Sequence, residues 1–388
     1  MFRGIRHIVM MLLALLTIVG CEQTIHQYPD EPEITITVQC KINTTAPEYF
    51  TDVKIEPGEV SYVVRAQNTM PLGSRFEEDV CLRYVVDLYE VTSSKSVFVE
   101  RQVFFVEDQK DDADGILDMV EATFNVNPTK YKVLFWCDYV QGSAKDANLE
   151  TWFTNGWYYK TEDLRKITYS DEVVVNNDDK DVYTATAEFD LTKYYYLSGD
   201  YHIHFPEPTP EGQTIPENVD EPENSSPYYR LDRPMGRFKC ITEDADDFLK
   251  NGKSEQDITA IVTYTQYVSA GYNVEEQKPN YFEPTRTFIT RPTYDEDGNL
   301  ELFRDWVFVN GKQTNVKLNI EFYDGDYVIN SDGTIEGEKI SHFTGIVVPL
   351  KRNMETIIKG RMLTTNYGTG GFGIDPGFEG ETVIPWGD

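Results

Sequence analysis

Apolar and polar residues alternate with a period of two along much of the chain. In Ile34–Cys40, Ile34, Ile36 and Val38 fall on one side and Thr35, Thr37 and Gln39 on the other, the mark of a strand with one buried and one wet face. The same pattern predicts strands at Val60–Ala66, Cys81–Val91, Ser96–Phe105, Glu121–Val126, Tyr131–Val140, Val182–Phe189 and Tyr201–Phe205. It resumes at Tyr229–Thr242, Ile258–Val268, Thr287–Arg291, Asn299–Val309, Gln313–Tyr323, Tyr327–Asn330, His342–Val348 and Thr356–Leu363. Turn chemistry separates the runs at Asp114-Gly115, Asn127-Pro128 and Asn176 to Asp179, and Asp297-Gly298, Asn310-Gly311 and Asp332-Gly333 read as hairpins. Helical periodicity is nearly absent. The best helix lies at Thr242–Lys250, with Thr242 as cap, acids in the first turn and Asn251-Gly252 as the stop.

Residues 206–227 break the pattern, with six prolines and six acids and no Lys or Arg. Such a segment extends rather than buries a core, so it divides the chain. The expected organisation is a β-sandwich at residues 34–205, an acidic linker or loop at 206–227, and a second sandwich at 228–364. A Gly-rich tail or strand fills 365–388. Parallel α/β folds need helices between strands, and these are missing. The fold class is therefore all-β: two sandwiches in tandem with few short helices.

The first residues do not belong to that fold. Arg3, Arg6 and His7 precede the apolar run Ile8–Val19, which is too short to span a bilayer of ~30 Å as a helix. Gly20-Cys21 follows at once. Residues 1–20 read as a lipoprotein signal peptide, cleaved before Cys21 and acylated on it. Leu16-Thr-Ile-Val-Gly-Cys21 resembles a lipobox, with Ile and Val where the commonest form differs. Acyl chains on one cysteine tether a protein at about 0.8 kcal/mol per buried methylene. Residues 21–33, polar with Pro29 and Pro32, are the flexible tether.

Charge changes the picture by exclusion. The 35 Lys and Arg stand against 66 Asp and Glu, for a net charge of −31, and loss of Arg3 and Arg6 makes the mature chain more acidic still. This surface repels phosphate backbones, so no nucleic-acid partner is expected. Cys40, Cys81, Cys137 and Cys240 allow two disulfides outside the cytosol. A Cys40–Cys81 bridge stays open, while Cys137, in an apolar strand centre, reads as a free buried thiol.

Catalytic motifs are scarce: GxSxG, HExxH and a Gly-rich phosphate loop are all missing. No enzymatic activity, cofactor or metal is expected. His202 and His204 lie two apart on a strand and share a face, which a metal could use, but without a third ligand nearby the plainer reading is an exposed strand face. The acidic loops Asp108–Gly115 and Asp295–Asn299 depart from the calcium-loop pattern and read as solvated turns. Trp152, Trp157, Tyr158 and Tyr159 form an aromatic stretch that could stack on sugar rings. The plainer reading packs it on the sandwich.

Four segments carry a family resemblance. Val348–Thr364, with Pro349, Arg352-Asn353, Thr356, Ile358, Gly360 and Leu363-Thr364, resembles the Pro-hydrophobic-basic-Arg-Asn-x-x-Thr-x-Ile-x-Gly-x-x-Leu-Thr segment of the Bacteroidetes-type fimbrial subunit superfamily. That superfamily comprises type V pilus shaft, anchor and tip lipoproteins and their paralogues. Ile374–Glu381 is similar to the same group's terminal segment. Tyr131–Tyr139 resembles its aromatic-Trp-small-Asp-Tyr strand, with Cys137 at the small position. Tyr229–Phe238, containing Arg233-Pro234, resembles the strand that opens its second domain. The resemblance implies transthyretin-like sandwiches, a lipid-anchored precursor in the outer membrane facing the cell surface, and fimbrial subunits as partners through strand exchange. It implies an anchor, tip or accessory subunit acting in assembly or adhesion to a glycan or host surface. The alternative is a glycan-binding surface lipoprotein of a nutrient-uptake system, with the aromatic stretch as its platform.

Overall fold

The computed structural model describes residues 34–42, 48–56, 59–63, 80–107, 119–145, 148–170, 178–194, 201–206, 228–250, 252–295, 297–330 and 335–364. Its architecture is almost entirely β. The first sandwich places β1 (Ile34–Ile42) in the middle of one sheet. On one side β1 pairs antiparallel with β6 (Val120–Val126). On the other it runs parallel to β11 (Tyr201–Phe205) along its first half and to β12 (Tyr229–Leu231) along its second. The facing sheet is antiparallel, in the order β10 (Tyr183–Asp190), β7 (Lys130–Gln141), β4 (Val80–Val91), β5 (Ser96–Glu107). The inward residues Ile34, Ile36, Val38, Cys40 and Ile42 pack with Leu82, Tyr84, Val86, Val133, Phe135 and Cys137 in one buried cluster. Each buried aliphatic of this size contributes about 1.5–3 kcal/mol.

The second sandwich has a six-stranded sheet ordered β18 (Thr293–Tyr294), β19 (Leu300–Phe308), β13 (Met235–Thr242), β22 (Met354–Gly360), β2 (Glu48–Glu56), β3 (Glu59–Val63). Its partner sheet runs β17 (Arg286–Thr290), β14 (Ile258–Tyr264), β20 (Thr314–Ile329), β21 (Ile335–Leu350). Phe238, Cys240 and Ile358 meet Ile258, Val262, Leu318, Ile320 and Phe322 between them. A fifth sheet joins the halves: β16 (Lys278–Glu283), β15 (Val268–Asn273), β9 (Ile167–Tyr169), β8 (Tyr159–Lys160).

Strand pairing departs from the linear division of the sequence at three places. The β2–β3 hairpin, early in the chain, runs beside β22 in the second sandwich, where Val53 and Ile55 join its core. Strand β12, beyond the acidic segment, completes the first sandwich on β1. The joining sheet takes two strands from each half. Period-two patterning says which face of a strand is buried, but not which sheet receives it. That also explains the Asn310-Gly311 turn. It carries the chain from β19 in one sheet to β20 in the facing sheet and closes no hairpin, whereas Asp297-Gly298 does join the paired β18 and β19. The predicted strand Tyr229–Thr242 is cut at Pro234, which cannot donate to a ladder.

Two short helices are present among the described residues, α1 (Leu149–Trp152) and α2 (Ala245–Leu249). The second lies inside the predicted Thr242–Lys250, but Asp244 occupies the cap position and its side chain is drawn elsewhere. Its buried carboxylate accepts from the backbone N–H groups of Met362, Leu363 and Thr364 and so fastens the chain after β22. None of the four described cysteines is in a disulfide, so no Cys40–Cys81 bridge forms. Burial pushes Cys40, Cys137 and Cys240 above the usual thiol pKa. The signal, the tether with Cys21, the loop 108–115, residues 207–227 and the tail 365–388 lie outside the described residues.

Because β2 fills a slot beside β22, residues 228–364 lack part of their own core. A fragment of those residues is expected to give no cooperative thermal transition, and to gain one when a peptide of residues 48–63 is added. An unaided melt matching the full chain's second sandwich would contradict this.

Candidate functional site

The densest constellation of charged and aromatic side chains lies where the sandwiches meet. In most antiparallel sheets the outer face is wet, but β4 is buried on both faces. Its even-numbered residues point into the sandwich core, and Arg83, Val85, Asp87 and Tyr89 point the other way. That outer face meets the joining sheet and, beyond it, β19. Trp136 packs edge-on against Tyr159 at 5.2 Å, and Tyr159 lies 5.4 Å from Tyr169 and 6.1 Å from Phe308. Tyr272 stacks on Phe308 at 5.0 Å. With Trp306, Leu134 and Met235 these rings form a third buried cluster drawn from both halves.

Charge is buried beside the rings. Arg83 donates from Nε and Nη2 to the two oxygens of Asp138, each at 2.7 Å, with both side chains essentially unexposed. Arg101 binds Asp87 in the same two-pronged way at 2.6 and 2.7 Å. Burial raises the Asp87 pKa despite Arg101. Arg233, in the turn between β12 and β13, donates to Asp181 at 2.7 Å, to the Tyr183 hydroxyl at 2.6 Å and to the Asn353 side chain at 2.9 Å. Lys180 reaches across to Asp305 on β19, and burial holds its pKa below the ordinary lysine value. Buried ion pairs fix geometry more than they add net stability, but losing one partner strands a desolvated charge.

These contacts explain the resembling segments in physical terms. Asp138 belongs to Tyr131–Tyr139, Arg233 to Tyr229–Phe238 and Asn353 to Val348–Thr364, and each is a buried or half-buried partner in the joint. Asn353 has φ of 54°, a left-handed conformation that asparagine tolerates better than most residues. The segment 374–381 lies outside the described residues.

The aromatic stretch is placed differently from an open platform. Tyr158 and Tyr159 are 1% and 0% exposed and belong to the joint, so they present no face to a sugar. Trp157 is half-buried and stacks on Tyr158 at 4.8 Å, and Trp152 is half-buried at the end of α1. The backbone carbonyls of Trp152 and Phe153 accept from Arg83 at 2.8 Å and Arg101 at 3.2 Å. The stretch is thus pinned over the buried pairs. Gly156 permits that approach, since a Cβ there would sit 2.2 Å from Asp138 Oδ2.

The other candidates resolve simply. His202 and His204 stack at 4.6 Å on an exposed face, and His202 bonds the Thr37 hydroxyl at 2.6 Å. Among the described residues no group of three metal-ligating side chains gathers. Asp295 caps its own turn by accepting from the Asp297 and Asn299 backbones. A recess of about 550 Å³ opens at the edge of the joint, lined by Thr184, Thr186, Arg230, Asp232 and Arg352 among others. Asp232 in its lining accepts from Arg230 Nε at 3.1 Å. No helix among the described residues is long and apolar enough to cross a membrane.

The chain belongs to DUF6562, a family of unknown function whose model matches residues 34–385. Comparison with curated proteins finds no match. Among solved structures, it is similar to a protein from Bacteroides ovatus provisionally named an adhesin, with 12% identity and a TM-score of 0.38 over 86% of this chain and 90% of that one. It is also similar to a fimbrial assembly protein from Parabacteroides distasonis, with 9% identity and a TM-score of 0.32 over 86% and 94%. A third is a protein from Bacteroides thetaiotaomicron provisionally named as polysaccharide binding, with 8% identity and a TM-score of 0.35 over 81% and 80%.

Replacing Asp138 with Ala leaves the Arg83 guanidinium buried without its carboxylate, and is expected to cost about 3–5 kcal/mol. Gly156→Ala is expected to destabilise in the same direction. Urea unfolding followed by tryptophan fluorescence checks both, and a loss below about 1 kcal/mol for Asp138→Ala would contradict the role given to the buried Arg83–Asp138 pair.

Proposed function

We propose that this chain is a non-enzymatic surface lipoprotein, anchored to the outer membrane through Cys21, that serves as an anchor, tip or accessory subunit in a fimbrial assembly. The observation that carries this reading is the convergence of three superfamily-like segments. Asp138, Arg233 and Asn353 come from parts of the chain far apart in sequence: Arg233 bonds Asp181 of the first half and Asn353 of the second, while Asp138 pairs with Arg83 across neighbouring strands of the first sandwich, on the face that the joining sheet covers. Arg233 and Asn353, from two of the resembling segments, thus couple the two sandwiches here. That suits a subunit that transmits load rather than one that turns over a substrate.

Strand exchange has a physical basis in this architecture. The central strand β1 begins close behind Cys21, is paired on both sides, and buries Ile34, Ile36, Val38, Cys40 and Ile42. A partner's strand could occupy such a slot only if β1 left it, because an alternating apolar strand and a paired edge are what the slot accepts. In an anchor subunit β1 stays and the lipid holds the base. The glycan-binding alternative draws no support from Tyr158 and Tyr159, which are closed to solvent.

Two measurements test the proposal together. Labelling cells with a radiolabelled fatty acid is expected to mark the wild-type chain and not the Cys21→Ser variant, which should also leave the membrane fraction. Affinity purification is expected to bring down a polymerising pilin subunit. Glycan-array binding that disappears in Trp157→Ala, with no pilin recovered, would overturn the structural role.

A further inference from the structure

We infer that Lys180 and Asp305 form an intramolecular amide cross-link that joins the first sandwich to the second. Lys180 ends the single helical turn Asp178–Lys180 ahead of β10, and Asp305 lies on β19, 125 residues further on. The Lys180 Nζ rests directly against Asp305 Oδ1. Both side chains are closed to water, at 1% and 3% exposure.

The surroundings suit condensation. The Tyr169 ring lies 5.3 Å from Nζ. The Tyr264 hydroxyl donates to Asp305 Oδ2 at 2.8 Å, and the Trp306 backbone N–H donates to Oδ1 at 2.9 Å. Burial lowers the Lys180 pKa, which favours the neutral amine that a nucleophile must be. The other three buried pairs of the joint use arginine, whose guanidinium is always charged and is no such nucleophile.

The step balances within the pair. The ammonium proton passes to Oδ1, leaving an amine against a carboxylic acid. The Nζ lone pair attacks Cγ, the N–C bond forms and the Cγ–Oδ1 bond breaks. Oδ1 departs with its proton and one amine proton as a water molecule. Oδ2, held by Tyr264, becomes the amide carbonyl oxygen. No oxidant or co-reactant enters. The product replaces two buried charges by one neutral amide, which removes their desolvation cost.

The test is mass spectrometry of the purified full chain after denaturation and trypsin digestion. The expected result is a peptide running from Ile167 through an uncleaved Lys180 to Lys193, joined to the peptide from Asp305 to Lys312 and lighter than their sum by one water. Lys180→Arg and Asp305→Ala are each expected to abolish it and to restore the uncondensed intact mass. Because the wild-type digest decides by itself, misfolding of either variant does not blur the answer. Cleavage after Lys180 together with a free Asp305 peptide would overturn the cross-link.

Discussion

Burial of the outer face of the β4–β7 sheet is the constraint on which the rest of this structure depends. A four-stranded antiparallel sheet with both faces covered must dispose of its outward polar residues. Here Arg83, Asp87 and Asp138 lie on that face and are nearly closed to solvent. Each is satisfied by a partner with matched geometry: Asp138 by Arg83, Asp87 by Arg101. The loop carrying Trp152 to Tyr159 then lies over these pairs and supplies carbonyls to their remaining donors. The joining sheet, with two strands from each half, and the aromatic cluster around Trp136 and Trp306 close the layer. The result is two sandwiches joined by the ladder between β9 and β15 and by an aromatic cluster drawn from both halves.

Much of the fold was legible in the sequence because each strand reports its own buried face. Ile34, Ile36 and Val38 announce β1, and the apolar run around Cys137 announces a strand with a buried centre, which the structure covers on both faces. Other parts were silent for physical reasons. Strand β2 has mixed polarity, and its neighbour β22 is some three hundred residues away, a partnership no local pattern encodes. The short strands β8 and β9 are too brief to show a period. The Trp152–Tyr159 stretch admitted both a platform and the plainer packed reading because aromatics serve both packing and recognition. The burial of Tyr158 and Tyr159, and the need for glycine at 156, distinguish the two uses. The resembling segments were visible as motifs, but their role was not. Arg233 acts through Asp181, Tyr183 and Asn353, which come from two other stretches of the chain.

A surface subunit in the proposed role has a lipid at its N-terminal end and partners elsewhere, so tension would pass through the whole chain. A flexible hinge between sandwiches would let one half lag behind the other. The joint resists that by placing its charges out of water, where pairs are weakly screened by salt, and a covalent link at Lys180 and Asp305 would make the coupling permanent. The acidic surface fits the same picture. Most carboxylates lie outside the joint, where like charge discourages unplanned pairing of exposed strand edges.

The central claim is that the sandwiches behave as one unit because of this joint. Differential scanning calorimetry of the full chain tests it most directly. The account predicts a single transition whose calorimetric enthalpy equals the van't Hoff enthalpy, split into two or broadened in Arg233→Ala, which removes the bonds to Asp181 and Asn353. Two separate transitions in the wild-type chain, left unchanged by that substitution, would contradict it.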